Sequence, residues 1–498
     1  MNSSRSRVVS LAAMALMLAV MVPVAGAASD QASFATAESY AAGKVPYDVT
    51  SADFDGDGKQ DLAVADDGGT FTDGSVQVLF NEGSGTYGEP TSYDDFTDTP
   101  RGITSADYNG DGKPDIAVSN FNDGQVEVLI NQGRGVFPDI DNPTYDVGVF
   151  PYDITSADFN RDGNPDLAVV NSNDDTGNPG TVSVLINRGD GTYPKDDSPF
   201  YTVGYSPRGI TSADFSGDGD PDIAVTNRTY GTVSVLTNRN GTFPQSATSD
   251  AGDSPLGITN ADLDGDGRLD LAVANSGDGT VSALLNRGQG NFPSNNNPSY
   301  AAGDDPEGIT SADYNKDGET DLAVTNSDDA TASVLLNQGQ ANLQLSFPVY
   351  EVGADYPEGI TSADLNGDGR PDLATANGGS SFGASNVSVL LNTTELTETA
   401  RCTITGTGRD DVLEGTGGRD IICGRGGDDR IKGSQGDDEI LGGRGDDAIN
   451  GGAGNDVLRG GRGEDRLVGA GGSDALFGGP GVDRCASGND RETGCEKP

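Results

Sequence analysis

The sequence predicts an all-β protein built from two repeat arrays, a seven-bladed β-propeller followed by a parallel β-roll. Three observations predict it. An acidic pattern, D-x-[DNS]-x-D-G-x-x-D, recurs seven times at intervals of about fifty residues between Asp53 and Asp372. Each copy runs straight into an apolar segment such as Leu62-Ala-Val64. From Gly406 to Ala486 the period falls to nine residues, in nine Gly-rich units. Fixed periods of these lengths mark arrays in which each unit buries its apolar face against a neighbour.

The fifth long unit shows the order of segments. Gly257–Ala261 reads as a strand, the acidic loop runs from Asp262 to Asp270, and Leu271–Ala274 is a second strand. After a turn at Ser276–Gly279, Thr280–Asn286 alternates as a third, and a fourth ends near Tyr300–Gly303. One such sheet leaves a face uncovered, whereas copies set around an axis cover both. The seventh unit stops at Asn392 without a fourth strand, while Phe34–Gly43 supplies one with no unit before it. The N-terminal strand should therefore complete the last blade, close the ring over residues 34–392 and hide the sheet edges.

Oxygen-bearing residues at alternate positions, with Gly at the sixth, suit a hard cation such as Ca2+. The expected side-chain ligands are positions one, three, five and nine, with the carbonyl of position seven. In the first three loops these are Asp53, Asp55, Asp57 and Asp61, then Asp107, Asn109, Asp111 and Asp115, then Asp158, Asn160, Asp162 and Asp166. The fourth has Asp214, Ser216, Asp218 and Asp222, and Ser216 should make it the weakest site. The last three have Asp262, Asp264, Asp266 and Asp270, then Asp313, Asn315, Asp317 and Asp321, then Asp364, Asn366, Asp368 and Asp372. A helical EF-hand is excluded: its position twelve should be Glu, and in the first copy it is Val64 within a β-like run. Strings such as Ser311-Ala-Asp-Tyr-Asn-Lys-Asp-Gly-Glu-Thr-Asp-Leu-Ala-Val324 resemble the FG-GAP/VCBS repeats of integrin-α-like propellers. That resemblance implies calcium in the loops of one propeller face and ligand on the other.

Residues 393–405 read as a linker. Units such as Gly442-Gly-Arg-Gly-Asp-Asp-Ala-Ile-Asn450 follow G-G-x-G-x-D-x-U-x and resemble the hemolysin-type (RTX) repeat over 406–486, which implies a β-roll holding calcium between its turns. Position six is Asp throughout: Asp411, Asp420, Asp429, Asp438, Asp447, Asp456, Asp465, Asp474 and Asp483. Position eight is Leu or Ile in the first eight units and Cys485 in the last. One apolar side chain per nine residues is a thin core, so calcium should be an obligate part of this domain. Residues 487–498 form a C-terminal cap. The four cysteines allow three pairings, and nearness in sequence favours Cys402–Cys423 and Cys485–Cys495.

The formal charge of −49 argues against nucleic acid and anionic membranes as direct partners. With no His or Trp, His-based triads and the usual zinc sites are excluded. Arg5 and Arg7, the apolar Val8–Val24 and Ala25-Gly-Ala27 read as a signal peptide over 1–27, so the expected product is secreted and not inserted in a membrane. Specific binding should use residues that differ between otherwise similar units. The residue that enters each first strand is one: Tyr47, Arg101, Tyr152, Arg208, Leu256, Glu307 and Glu358. The resulting expectation is a calcium-binding, non-enzymatic binding or adhesion protein for an extracellular glycan or protein. The alternatives are a polysaccharide lyase or hydrolase, with Glu307 and Glu358 as a carboxylate pair, and a structural matrix or surface component.

Overall fold

In the computed structural model, the structure describes residues 32–69, 74–93, 99–137, 142–173, 177–194, 199–294, 297–346, 349–378, 385–394, 402–407, 409–479, 481–486, 491–493 and 495. The expected signal peptide, part of the linker and most of the C-terminal cap lie outside the described residues.

Seven antiparallel blades form the first array. In blade 1, Pro46–Ala52, Asp61–Asp66, Ser75–Leu79 and Thr91–Tyr93 pair in that order, and the acidic loop joins the first two strands. The innermost strands of blades 2 to 7 are Pro100–Ala106, Pro151–Ala157, Pro207–Ala213, Pro255–Ala261, Pro306–Ala312 and Pro357–Ala363. Glu38–Ala41 pairs antiparallel with Asn386–Leu390, with Glu38 opposite Val389 and Ala41 opposite Asn386. The ring closes as the leftover segments require.

The core explains why the second strands are apolar throughout. Every residue of Asp61–Asp66 is buried, because that strand packs against blades on both sides. Seven apolar clusters result, one at each junction between blades. The cluster joining blade 7 to blade 1 holds Ala374, Ala376 and Val387 against Val49, Leu62 and Val64.

The second array is a roll of two parallel sheets, with strands such as Ile421–Gly426, Glu439–Arg444 and Val457–Arg462 in one. The other holds Val412–Glu414, Arg430–Gln435, Ala448–Ala453, Arg466–Gly471 and Arg484–Ala486. Two nonapeptides make one turn, so residues 18 apart are neighbours: Ile431 lies beside Ile449 and Leu458 beside Leu476. The position-eight side chains from Ile422 to Leu476 make one apolar column between the sheets. Cys402–Cys423 and Cys485–Cys495 are disulfides, with Cα separations of 5.8 and 5.7 Å. Cys423 occupies an outward position nine but is buried, with Cys402 bonded over it.

Candidate functional site

Each propeller loop is curled by its first Asp. Asp53 Oδ1 accepts the Gly56 and Asp57 amides at 2.8 and 3.0 Å, and Oδ2 accepts Gly58 N at 2.9 Å. Gly58 has φ +90°, the left-handed turn for which position six must be Gly. The ninth residue is the loop's buried anchor. Asp61 Oδ2 accepts Phe54 N and Asp55 N at 2.9 and 3.2 Å, and Oδ1 accepts Asn81 N at 2.8 Å. In the first loop a carboxylate oxygen from each of Asp53, Asp55 and Asp61 lies within 4.8 Å of the others, and Asp262, Asp264 and Asp270 repeat this in the fifth. Positions one, three and nine thus converge as a hard cation needs. In the four loops with a cation at position seven, position five pairs with it: Lys59 with Asp57, Lys113 with Asp111, Arg268 with Asp266 and Arg370 with Asp368.

Burial, opposed by the backbone amides, raises the position-nine carboxyls above their ordinary range. Asp61, Asp115, Asp222, Asp270 and Asp372 are pushed to about 6, Asp166 to about 7 and Asp321 to about 8. Such sites favour a proton or a cation over an uncompensated charge.

A ring of seven asparagines stitches the loops together. Asn131 Nδ2 donates to Phe54 O of the preceding loop at 2.8 Å and to Pro114 O of its own at 3.0 Å. Asn81, Asn187, Asn238, Asn286, Asn337 and Asn392 each reach the preceding loop in the same way. Every loop is therefore braced before any metal arrives.

The roll is organised differently. Asp429 Oδ1 accepts the amide of Asp411, and the same bond recurs at a stride of 18 residues up to Asp465 N with Asp483 Oδ1. The second oxygens of Asp429, Asp438, Asp447, Asp456, Asp465 and Asp483 are buried with no hydrogen-bond donor. A row of buried, donorless carboxylate oxygens is costly without a cation and fits calcium between the turns. Asp411 and Asp420 differ. Their second oxygens accept the amide and hydroxyl of Thr407 at 2.6 and 2.9 Å, and of Thr416 at 2.6 and 2.8 Å. These two units cap the row, with a Thr where later units carry Gly, Ser, Ala or Arg.

The seven residues that vary between units converge at the propeller axis. Tyr47, Arg101, Tyr152, Arg208, Leu256, Glu307 and Glu358 line one cavity of about 100 Å³. Each lies where its inner strand breaks register with the second strand, as between Pro46 and Asp48 or Pro100 and Ile103, and the bulge turns the side chain to the axis. On one wall Arg101 stacks on Phe121 with its guanidinium carbon 3.6 Å from the ring centre, and it meets Asp67 at 3.4 Å. Arg208 lies 4.3 Å from the ring centre of Tyr152, whose hydroxyl bonds that of Tyr47. On the opposite wall the carboxyl groups of Glu307 and Glu358 have neither a hydrogen bond nor an ion pair among the described residues. Burial raises both carboxyls, and Glu358 raises Glu307 further.

Five units follow the axial residue with Gly, because the next blade is close: a Cβ on Gly308 would lie 2.4 Å from Glu358 O. Blades 1 and 3 carry Asp48 and Asp153 instead. Asp48 bonds the amides of Val49 and, at 3.1 Å, Ile103 of blade 2; Asp153 bonds Ile154 and, at 3.0 Å, Ile210 of blade 4. Both line the same cavity, and burial raises both carboxyls.

Residues 53–118, 107–169, 170–225, 214–273, 262–324 and 313–375 match the FG-GAP-like repeat, over more than half of the chain. The chain belongs to the FG-GAP-like repeat family. Residues 403–431, 424–458 and 450–485 match the RTX calcium-binding nonapeptide repeat. No curated protein matches the chain. Among solved structures it is similar to virginiamycin B lyase from Staphylococcus aureus, at 14% identity and TM-score 0.48 over 72% of this chain and 99% of that one. It is similar to the periplasmic gluconolactonase of Pseudomonas aeruginosa, at 19% and 0.45 over 63% and 86%. An Agrocybe aegerita lectin specific for non-reducing terminal N-acetylglucosamine aligns at 21% and 0.40 over 61% and 79%. None of these three reaches a TM-score of 0.5, so none bears on what this FG-GAP-like protein binds.

Two groups of residues in this FG-GAP-like propeller escaped the sequence reading. The seven stitching asparagines were visible only as the ends of third strands. Asp48 and Asp153 read as ordinary strand residues, although Tyr-Asp in place of X-Gly was a signal.

Proposed function

We propose that this FG-GAP-like protein is an exported, calcium-stabilised and non-enzymatic binding protein that takes an extracellular glycan or protein ligand at the axial cavity. The observation that carries this reading is the convergence there of all seven variable residues, with two unpaired glutamates facing a Tyr–Arg wall. Aromatic and Arg groups around a cavity are the composition of recognition sites. Export is supported by the two disulfides and by the RTX repeats, which fill from millimolar calcium. The test is capture from glycan and peptide arrays by the calcium-loaded protein. Tyr152→Ala should weaken capture about tenfold or more, read on protein that melting shows to be folded; capture indifferent to Tyr152→Ala and Glu358→Gln alike removes the axial site from the reading.

A second reading, a hydrolase or lyase, has one observation behind it. Glu307 and Glu358 share one wall of the cavity, and each is held toward its protonated form. Paired carboxyls of this kind serve as acid and base in glycoside cleavage. Turnover of a polysaccharide panel that Glu307→Gln abolishes would favour it over binding alone.

A further inference from the structure

The acidity of the chain is unevenly spread. Residues 34–392 hold 15 Lys and Arg against 57 Asp and Glu, a formal charge of −42; residues 406–486 hold 10 against 16, or −6. Three divalent ions therefore neutralise the roll, and each further ion leaves it two charges more positive. One ion per propeller loop, seven in all, still leaves the propeller at −28. The six carboxylates with a donorless oxygen carry as much charge as three divalent ions balance. Three calcium ions thus cancel the charge of the roll, whereas seven leave the propeller acidic.

Both sheets of the roll carry cations, but one column of the five-stranded sheet gathers three arginines. On the outer face of the five-stranded sheet, Val412, Arg430, Ala448, Arg466 and Arg484 are cross-strand partners in that order. The corresponding column of the six-stranded sheet runs Ile421, Glu439, Val457, Ala475 and Arg491, with a single cation at its end. Arg430, Arg466 and Arg484 are exposed, and none of their guanidinium groups has a hydrogen bond or ion pair among the described residues. Beside them Lys432 pairs with Glu414 at 2.6 Å. Strands about 4.8 Å apart put Arg466 and Arg484 side by side and Arg430 about 10 Å from Arg466. Adjacent like charges on one sheet face repel, and in a chain with 79 acidic residues three arginines in one column have found no acid.

We propose that this column binds a linear acidic polysaccharide, with carboxylate or sulfate groups set along the chain meeting Arg430, Arg466 and Arg484. Guanidinium forks pair with planar carboxylate and with sulfate through two parallel bonds, and a rigid in-register sheet holds them at fixed spacing. Three forks in a row suit a polymer with an anion at intervals of one or two sugars. They are too few for nucleic acid, which presents about one charge per 1.7 Å and is held through many contacts. The face is distinct from the axial cavity, and its occupancy does not depend on the reading given for that cavity.

The test is retention of the full-length, calcium-loaded protein on immobilised hyaluronate and chondroitin sulfate, beside neutral dextran and single-stranded DNA. Both acidic glycans should retain it in a salt-dependent way. Combined Arg430→Gln, Arg466→Gln and Arg484→Gln should reduce retention by about tenfold or more, with the calcium-dependent circular dichroism unchanged. A loss of retention in Tyr152→Ala equal to that in the triple variant would assign the retention to the axial site and overturn the proposal. Equal retention of the wild type and the triple variant overturns the proposal, as does retention on dextran or a preference for DNA.

Discussion

The two arrays use acidic residues at fixed intervals, but they differ in what is satisfied before calcium binds. In the propeller, Asp61 and its equivalents accept backbone amides through both oxygens, and an Asn brace holds each loop. Seven apolar clusters stand behind them. In the roll one oxygen of each of Asp429, Asp438, Asp447, Asp456, Asp465 and Asp483 lacks a donor, and a single apolar column is the only core cluster among the described residues there. The propeller loops are braced without a cation, whereas the roll leaves buried oxygens that a cation would satisfy.

Chelation is the sharpest way to break that comparison. Removing calcium should abolish the roll, with limited proteolysis cutting beyond about residue 400 first, while a propeller fragment survives. Simultaneous loss of both arrays, or a roll indifferent to chelator, would show that the donorless oxygens do not distinguish them.

A smaller effect tests the bracing. Asn337→Ala removes one of the two donors to the carbonyl of Leu263, which keeps the Ala341 amide, together with the acceptor of Gly339 N. It should cost the propeller about 1–3 kcal/mol in denaturant unfolding. A cost within measurement error would mean that the loops stand without the asparagine ring.

The smallest effect concerns pH and the metal-free propeller. Its position-nine carboxyls sit at about 6 to 8, above the value of 3.8 for a free Asp, so the folded state binds more protons than the unfolded state between those values. Stability should accordingly be fullest below about pH 4 as far as these groups are concerned, and should fall as pH rises through about 6 to 8. Calcium should reverse that slope, because protons and the ion compete for the same oxygens. Melting of chelated protein at mildly acid and mildly alkaline pH checks the sign, and higher stability on the alkaline side would refute it.

Much of the fold was legible. The unpaired Phe34–Gly43 segment announced ring closure, and the position-eight residues announced the column that Ile422 to Leu476 form. The variable residues Tyr47 to Glu358 were legible as a set, because a position that changes within an otherwise constant unit stands out. The rest was hidden for identifiable reasons. The asparagine brace ends on a backbone carbonyl over 70 residues away, and a carbonyl leaves no mark in a sequence. The turning of Asp57 toward Lys59 depends on a local choice of rotamer that ligand spacing does not reveal. Thr407 and Thr416 read as lapses from Gly, and only the bonds to Asp411 and Asp420 show them to be caps.

By itself the sequence determined the two periods, the strand order within each unit, the acidic positions and the thinness of the roll's core. Each of these is a local or periodic property, set by spacing along the chain. Only the tertiary structure decided which oxygens go without a donor, that Asp48 and Asp153 enter the axial cavity beside two unpaired glutamates, and that three arginines share one face of one sheet. Those facts depend on which distant segments meet, since burial and pairing are properties of neighbours in space.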